Sequence, residues 1–352
     1  MKKKAIRMAM PVATLLWCGA AAAGGSEIST GAQTPLTPVI LPPQMSVPEP
    51  TYARGSGQLA IFKAVNALRE QLGVGLLAQD TMLDTAAQAH AVYLSSNSVS
   101  QHEEAADKPG FYDVNPLFRA RRAGAPAAQW VGEAVAAAKG GSDSDIGQRC
   151  FDQWYHTVYH LLGLVGNQES VGVGYSERGA LGLNLCVVDF GTLTGAQENP
   201  AANGVPYVGG QHFDAGTFVT VPRGGEINVQ PGFNAEGESP DPAPDLKAPG
   251  RPLMVYANGA LAEILSVGTF KVVGPNGAEV PARTLVSPAA KAAGSDGAGD
   301  PYIRNNAAFL LPLAPLADGV TYTATFAGTR AGKSVSFSWS FTTSEGVTIA
   351  QR

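Results

Sequence analysis

The sequence predicts an α+β fold in which a mixed domain of helices and a small sheet is followed by an all-β domain. Three observations lead to this prediction. Apolar residues recur at helical spacing in three segments between residues 58 and 163. Two short runs rich in Val, Leu and aromatic residues follow, "VGVGYS" and "GLNLCVVDFG". After Asn199 the chain becomes a series of short β-type runs, which is typical of a β-sandwich.

Three helices and two strands are expected in the first domain. The segment "LAIFKAVNALREQLG" places Ile61 and Val65 on one helical face and stops at Gly73. Asp80 can cap a second helix, "DTMLDTAAQAHAVYLSSN". A third helical pattern runs through "IGQRCFDQWYHTVYHLLG" and ends at Gly163. The two β-type runs that follow are predicted to be neighbouring strands joined by the turn "ERG".

The second domain is predicted from alternation and turn chemistry. Its strand candidates are "GTFVTVP", "EINVQPGF", "RPLMVYA", "GTFKVVGPNGAEVPARTLV", "AAFLLPL", "TYTATFAG" and "SVSFSWSFTT". The turns are "PNG" at 275–277 and "TRAGK" at 329–333. In the last two strands every second residue is expected to face the core: Tyr322, Ala324 and Phe326, then Phe337, Trp339 and Phe341.

The N-terminal residues have the layout of a secretory signal peptide. A basic start is followed by an apolar stretch from Met8 to about Trp17 and by the small residues "GAAAAGG". We therefore expect residues 1–23 to be a signal peptide and the protein to be secreted or periplasmic. Lipoprotein anchoring through Cys18 is the less favoured alternative, because Trp17 stands where a lipobox wants a small residue. No later segment is apolar and long enough to span a bilayer.

Net charge and composition argue against one class of partner and predict a linker. The net charge is −5 and there is no long basic run, which argues against a nucleic-acid partner. Residues 24–56 are rich in Ser, Thr, Gly and Pro and are expected to form an extended linker.

If Cys18 is removed, Cys150 and Cys186 remain. In an oxidising compartment such a pair most simply forms one disulfide; two buried free thiols are the alternative.

Several motifs in the first domain occur in an order found in one family. They are "AVNALREQLGVGLLAQDTMLDTAAQAHAVYL", "SQHEEA", "RRAGAPAAQWVGEAVA", "WYHTVYHLLG", "ESVGVGY" and "LNLCVVDFG". Together they resemble the CAP superfamily, also called SCP-like, and specifically its bacterial branch. The resemblance implies a CAP-type α-β-α sandwich over residues 57–200. It also implies that the helix carrying Cys150 lies against the strand carrying Cys186, which favours the disulfide.

The same resemblance implies a cavity lined by His102, Glu133 and His160. His102 corresponds to the family's first cavity histidine, Glu133 to the glutamate of its Gly-Glu-Asn motif, and His160 to the histidine six residues after a tryptophan. Two imidazoles and a carboxylate could hold Zn²⁺ with an open position, so His102 and His160 are candidate metal ligands. The alternative is a cluster of neutral histidines hydrogen-bonded to Glu133. The sequence departs from the family at Ala134 and Thr157, and it lacks the second glutamate that animal and plant members carry near Thr157.

The remaining titratable residues near these motifs are given structural roles. His156 and His160 are spaced i, i+4, but Thr157 stands where the zincin motif places its glutamate base, so metalloprotease chemistry is not expected. We expect His156 to be a surface or supporting residue and His90 to belong to the second helix face. His212 lies in the interdomain region and has no evident partner. The adjacent carboxylates of residues 103 and 104 are expected to lie in a solvated loop.

The C-terminal region resembles the bacterial Ig-like modules of surface and secreted proteins. The resemblance rests on Leu313, Leu316, Gly319 and Tyr322 before a strand and on the Phe-Thr-Thr ending at 341–343. It implies an all-β Ig-like sandwich over residues 205–345, able to fold without the first domain. Such modules usually space, present or bind.

Three functions remain open from the sequence. The first is an exported binding or interaction protein whose cavity takes a small apolar or cell-envelope ligand. The second is a metal-dependent hydrolase of envelope polymer or peptide that uses His102, His160 and Glu133. The third is a structural envelope or adhesion protein. No nucleophile has a recognisable setting and no G-x-S-x-G motif is present, so binding is favoured over catalysis.

Overall fold

The computed structural model describes residues 13–16, 39–177, 179, 182–198, 204–205, 209–233, 238–258, 263–290 and 298–346. Most of the predicted signal peptide, Cys18 and part of the predicted "ERG" turn lie outside these residues. Helices in the described part are α1 (Gly57–Leu72), α2 (Thr81–Asn97), α3 (Pro116–Arg122), α4 (Asp143–Tyr155) and α5 (Tyr159–Leu164). None of them is long and apolar enough to cross a membrane.

The strands of the described residues form four sheets. In chain order they are β1 (Ala13–Leu16), β2 (Val39–Leu41), β3 (Ala78–Gln79), β4 (Trp130–Ala138), β5 (Ser170–Tyr175), β6 (Asn184–Thr192), β7 (Gly209–Gln211), β8 (Phe218–Val221), β9 (Glu238–Ser239), β10 (Leu253–Ala257), β11 (Leu265–Val273), β12 (Ala282–Val286), β13 (Ala298–Gly299), β14 (Ala307–Pro312), β15 (Thr321–Arg330) and β16 (Lys333–Thr342). The sheet orders are β3-β5-β6-β4-β1-β9, β13-β12-β14-β10-β8, β11-β15-β16 and β2-β7.

Local sequence explains the predicted helix ends. Ser56 accepts a hydrogen bond from the first turn of α1, and Gly73 ends this helix in the left-handed region at φ 68°. Asp80 caps α2 as predicted. The third predicted helix is wrong as a single element, because α4 ends at Tyr155 and α5 begins only at Tyr159. The break falls on the β-branched pair at 157–158, two residues of modest helix propensity.

The first domain has three layers, with its sheet between two sets of helices. Helices α2 and α3 contact one face, and α1 and α4 pack together on the other. Two glycines of β5 allow α2 to approach, because a Cβ on Gly172 would collide with the backbone of Leu83 and one on Gly174 with the backbone of Ala87. The predicted strands β5 and β6 are antiparallel neighbours, and β6 also pairs with β4.

A disulfide joins the second helical layer to the sheet. Cys150 of α4 and Cys186 of β6 are bonded, with their Cα atoms 6.3 Å apart. Both side chains are fully buried. The pairing predicted for the two cysteines is therefore present, and the free-thiol alternative is not.

The C-terminal region consists of two sheets around a shared apolar core. The core takes residues from β10, β12 and β14 of one sheet and from β11, β15 and β16 of the other. The predicted alternation in the last hairpin is seen for five of its six residues: Tyr322, Ala324, Phe326, Trp339 and Phe341 are buried. The sixth, Phe337, is half-buried and packs against the same core. One predicted strand, "EINVQPGF", forms only isolated bridges. The Ig-like assignment of this two-sheet region stays a prediction.

The two parts of the chain share a second apolar core. Along β10, Leu253 and Val255 face the core between the two C-terminal sheets, whereas Met254 and Tyr256 join the core of the first domain. Strand β14 alternates in the same way. A strand that supplies both cores needs apolar residues at every position. A C-terminal region separated from the first domain would expose one of these faces, so its predicted independent folding stays untested.

The proline-rich segment is extended, as expected, but it is also bound to the first domain. Strand β2 pairs in parallel with β7, which follows the first domain in the chain. Gln44 donates to the carbonyl oxygens of Leu76 and Glu169 at 3.1 and 2.9 Å. The Tyr52 hydroxyl donates to Asp84. The described part of this segment therefore follows the surface of the domain.

Candidate functional site

The first part of the site is a buried histidine–glutamate–arginine chain. Glu133 lies in the middle of β4, and its Oε1 accepts from His102 Nδ1 at 2.6 Å. Its Oε2 accepts from Arg119 of α3 at 2.6 Å. Arg119 also donates to the His102 carbonyl oxygen at 2.9 Å. All three side chains are buried, so each charge depends on its partners rather than on water.

The protonation states of Glu133 and His102 follow from their burial and from the charged groups beside them. Burial alone would raise the pKa of Glu133, but the Arg119 charge and the nearby histidines hold it below its usual range. Burial lowers the pKa of His102, against the opposing effect of Glu133. His102 is therefore neutral at pH 7. Because ionised Glu133 can only accept, His102 donates from Nδ1 and keeps a lone pair on Nε2.

A second buried histidine–glutamate pair lies beside the first one. The prediction that Glu104 belongs to a solvated loop was wrong. Glu104 is buried, and its Oε1 lies 2.8 Å from His90 Nδ1. Arg119 lies 3.7 Å from the same oxygen. Both carboxylates were expected to be solvent-exposed, but only that of Glu103 is. No local pattern marks this burial, because the partner of Glu104 is His90 of α2, 14 residues earlier in the chain.

Asp189 is a buried acid that sequence reasoning missed. It lies opposite Glu133 in the β4–β6 register and is 0% exposed. Burial raises its pKa well above the usual range, and the Glu133 charge adds to this effect. Asp189 is therefore protonated where Glu133 is ionised. The environment separates two neighbouring carboxyl groups into one neutral and one charged group.

We expect Asp189→Asn to stabilise the protein at neutral pH. The unfolded chain ionises Asp189 near pH 4, while the folded chain keeps the proton, so the wild-type side chain costs stability as pH rises through that value. Asn carries no such charge. The difference in unfolding free energy between variant and parent should be small at pH 4 and should grow by pH 7, as measured by urea unfolding. The matched control is Asp214→Asn, the same change at an exposed carboxylate. A pH-independent difference for Asp189→Asn would contradict the assignment.

His160 lies at the start of α5 and binds a different glutamate. Its Nδ1 is 3.0 Å from Glu238 Oε1 and 3.2 Å from the Thr157 hydroxyl. Glu238 is buried and belongs to β9, far along the chain. The sequence prediction paired His160 with His102 and Glu133 and did not include Glu238. No local pattern marks Glu238, because its partners lie 78–80 residues away.

The two histidines share one further property. His102 Nε2 and His160 Nε2 are both buried without a hydrogen-bond partner in the described structure. The His160 charge is also among the causes that lower the pKa of His102, after burial. Of the three predicted site residues, His102 and Glu133 thus contact each other directly, whereas His160 is their electrostatic neighbour. Their common cavity stays a prediction.

One pocket among the described residues lies elsewhere. A cavity of about 560 Å³ is lined by the end of α4 and by C-terminal loops: Asp152, His156, Ile227, Asn228, Gln230, Gly319, Thr342, Thr343, Ser344 and Glu345. His156 is half-buried, and burial, with the Arg251 charge, lowers its pKa to about 3. His156 and His160 therefore do not face one site, despite their i, i+4 spacing. His212 is half-buried, and its backbone N–H donates to Leu41 at 2.7 Å.

A comparison with known protein families finds a match over the first domain. Residues 62–190 match the CAP model, the cysteine-rich secretory protein family. This part of the chain is a CAP domain, and Glu133, His102 and His160 all lie within it, whereas Glu238 does not.

Two solved structures are similar to the chain. An outer surface protein from Borrelia burgdorferi is 17% identical, with a TM-score of 0.32; the alignment covers 39% of this chain and 93% of that one. An extracellular SCP-domain protein from Bacillus anthracis str. Ames is 21% identical, also with a TM-score of 0.32, and the alignment covers 38% of this chain and 39% of that one. No curated protein matches the chain.

Proposed function

We propose that this is an exported CAP-domain binding protein whose buried site holds a divalent metal ion of the Zn²⁺ type through His102 Nε2 and His160 Nε2. One observation carries the proposal: each imidazole has a glutamate oxygen close to its Nδ1, hydrogen-bonded at 2.6 Å for His102 and in ion-pair contact at 3.0 Å for His160, and each Nε2 is buried and unpartnered in the described structure. A carboxylate on one ring nitrogen orients a histidine and raises the basicity of the other nitrogen, which is the usual support of a metal-ligating histidine.

The donor set fits such an ion with two protein ligands. Neutral imidazole nitrogen is a preferred ligand of Zn²⁺. Among the described residues, no group of three or more His, Cys, Asp or Glu side chains is arranged to hold a metal. The other coordination positions would therefore be filled by water or by a bound molecule. A metal held there would offer a Lewis-acidic position to that molecule.

Binding is favoured over hydrolysis by the state of Glu133. A general base needs a free oxygen within reach of water. Both Glu133 oxygens are engaged, one by His102 and one by Arg119. We therefore do not assign it the role of a base. The small apolar or envelope-derived ligand, the structural or adhesion role, and the secreted or periplasmic location stay predictions from the sequence.

Zinc titration of the full chain tests the proposal. We expect one Zn²⁺ per chain by isothermal titration calorimetry and metal analysis, and loss of this binding in His102→Ala and in His160→Ala. His156→Ala is the matched control, because His156 lies four residues before His160 but lines another pocket. It should bind as the parent does. A parent chain that binds no Zn²⁺, or binding that survives both site variants, would overturn the proposal.

A further inference from the structure

Helix α5 begins without a cap from its own neighbourhood. Its N-cap residue is Val158, which has no side-chain hydrogen bond to offer. The amide groups of the first turn are bound instead by Glu238. Oε2 accepts from Val158 N at 2.8 Å, and Oε1 accepts from Tyr159 N at 2.7 Å and His160 N at 2.8 Å. A carboxylate from the C-terminal part of the chain thus starts a helix of the first domain.

The same carboxylate orients the His160 ring. The hydrogen bond of His160 Nδ1 joins it to the Thr157 hydroxyl at 3.2 Å. Glu238 Oε1, which already accepts two backbone N–H groups, lies 3.0 Å from the same nitrogen and favours a proton there by its negative charge. The Nδ1 of His160 therefore carries the proton when the ring is neutral. This leaves a lone pair on Nε2, the atom that is buried and unpartnered in the described structure. Glu238 fixes the position of the His160 backbone, and its charge acts together with the Thr157 hydroxyl to favour this tautomer of the side chain.

Other residues of the C-terminal region also contact the segment between α4 and α5. The Tyr159 hydroxyl donates to Asp300 at 2.7 Å, and the Tyr155 hydroxyl donates to Glu226 at 2.9 Å. Arg251 donates to the Tyr155 carbonyl oxygen at 2.8 Å, and its guanidinium lies 4.4 Å from the centre of that ring. These charged partners all come from beyond residue 205. The end of α4 and the start of α5 are thus placed by the C-terminal region.

We propose that Glu238 is a positioning residue that completes the metal site, so that the C-terminal region is part of this site and not an attached module. The inference rests on the proposed zinc-binding function. It is carried by the correspondence between two pairs: His102 with Glu133 from the CAP domain, and His160 with Glu238 from outside it. Each glutamate leaves one histidine with an Nε2 lone pair.

Nitrogen NMR of the metal-free full chain tests the positioning role without any metal. With ¹⁵N-labelled histidine, and with His160→Gln to assign the ring, we expect His160 to carry its proton on Nδ1. In Glu238→Ala the two tautomers should mix, and in Glu238→Gln, which keeps one acceptor oxygen, the change should be smaller. Glu226→Gln is the matched control, because it removes a carboxylate that touches Tyr155 instead of His160. A parent proton on Nε2, or a Glu238→Ala spectrum like the parent's, would overturn the proposal.

Zinc affinity supplies the second measurement. Loss of such a supporting carboxylate typically costs 10–100-fold in metal affinity, so we expect about tenfold for Glu238→Gln and about 100-fold for Glu238→Ala. Glu226→Gln should stay within about twofold of the parent. If Glu238→Ala does not fold, the zinc affinity of Glu238→Gln decides between the outcomes. A Glu238→Gln affinity within about twofold of the parent's would overturn the positioning role. A parent that binds no Zn²⁺ refutes the proposed function, while the tautomer measurement still decides what Glu238 does.

Discussion

Arg119→Met is expected to destabilise the folded protein by about 3–5 kcal/mol, the usual cost of removing one partner of a buried ion pair. Arg119 is fully buried and supplies the positive charge next to two buried glutamates, at 2.6 Å from Glu133 and 3.7 Å from Glu104. Methionine can fill much of the same space but leaves both carboxylates without their cation. Urea or thermal unfolding at pH 7 measures the loss.

The pH dependence of this loss has a defined sign. The Glu133 pKa is lowered in the folded protein, so its ionised form stabilises the fold above the unfolded value of about 4.3. That contribution disappears as pH falls through the folded pKa. The difference between Arg119→Met and the parent should therefore be full at pH 7 and shrink below about pH 4.

Two variants of α3 separate charge from packing in this experiment. Arg119→Lys keeps the charge but loses the two-pronged geometry, so its loss should be smaller than that of Met. Arg122 lies on the same helix, is exposed and stacks on Tyr112. Arg122→Met should change stability by no more than about 0.5 kcal/mol. Equal losses for Arg119→Met and Arg122→Met would contradict a stabilising role of the buried charge.

Reduction of the Cys150–Cys186 disulfide is expected to give the second large effect. The bond closes a loop with a sequence separation of 36 residues, for which chain entropy gives about 3–4 kcal/mol. For a domain of this size the melting temperature should fall by roughly 10 °C. The bond also ties α4, and with it the segment leading to His160, to the central strand β6. Calorimetry with and without a reducing agent measures the shift.

The double variant Cys150→Ala/Cys186→Ala is the control for this measurement. It should melt near the temperature of the reduced parent, and the reducing agent should not lower it further. If the reducing agent lowered the melting temperature of the double variant as much as that of the parent, the shift would not come from this bond. An oxidised parent that melts no higher than the double variant would contradict the predicted contribution.

Local chemistry let the sequence determine a large part of the architecture. Helix α1 ends at Gly73 and α2 begins after Asp80, because these residues adopt or satisfy helix-end conformations regardless of the rest of the fold. The alternation in β15 and β16 predicted their buried faces for a similar reason, since the period of two is a property of the strand itself. The order of the motifs led to the CAP domain and to His102, Glu133 and His160.

Where the local signal was weak, the prediction differed from the structure. The apolar pattern through residues 146–163 predicted one helix, but α5 is a separate element whose first turn is bound by Glu238. Segment 39–56 has a linker composition, yet glutamine and tyrosine side chains bind it to the first domain. In both cases the deciding contact comes from a residue that is distant in sequence, and composition and periodicity carry no information about such partners.

The polar interior of the site was decided by the tertiary structure alone. A buried carboxylate or imidazole is stable only with a partner, and the partner is chosen by which elements the fold brings together. Cross-strand register places Asp189 opposite Glu133 and keeps it protonated. Helix α3 brings Arg119 to both Glu133 and Glu104. The sequence by itself pointed to His102, Glu133 and His160. The packing of elements from both parts of the chain decided the charges and tautomers of these residues and which glutamate lies beside His160.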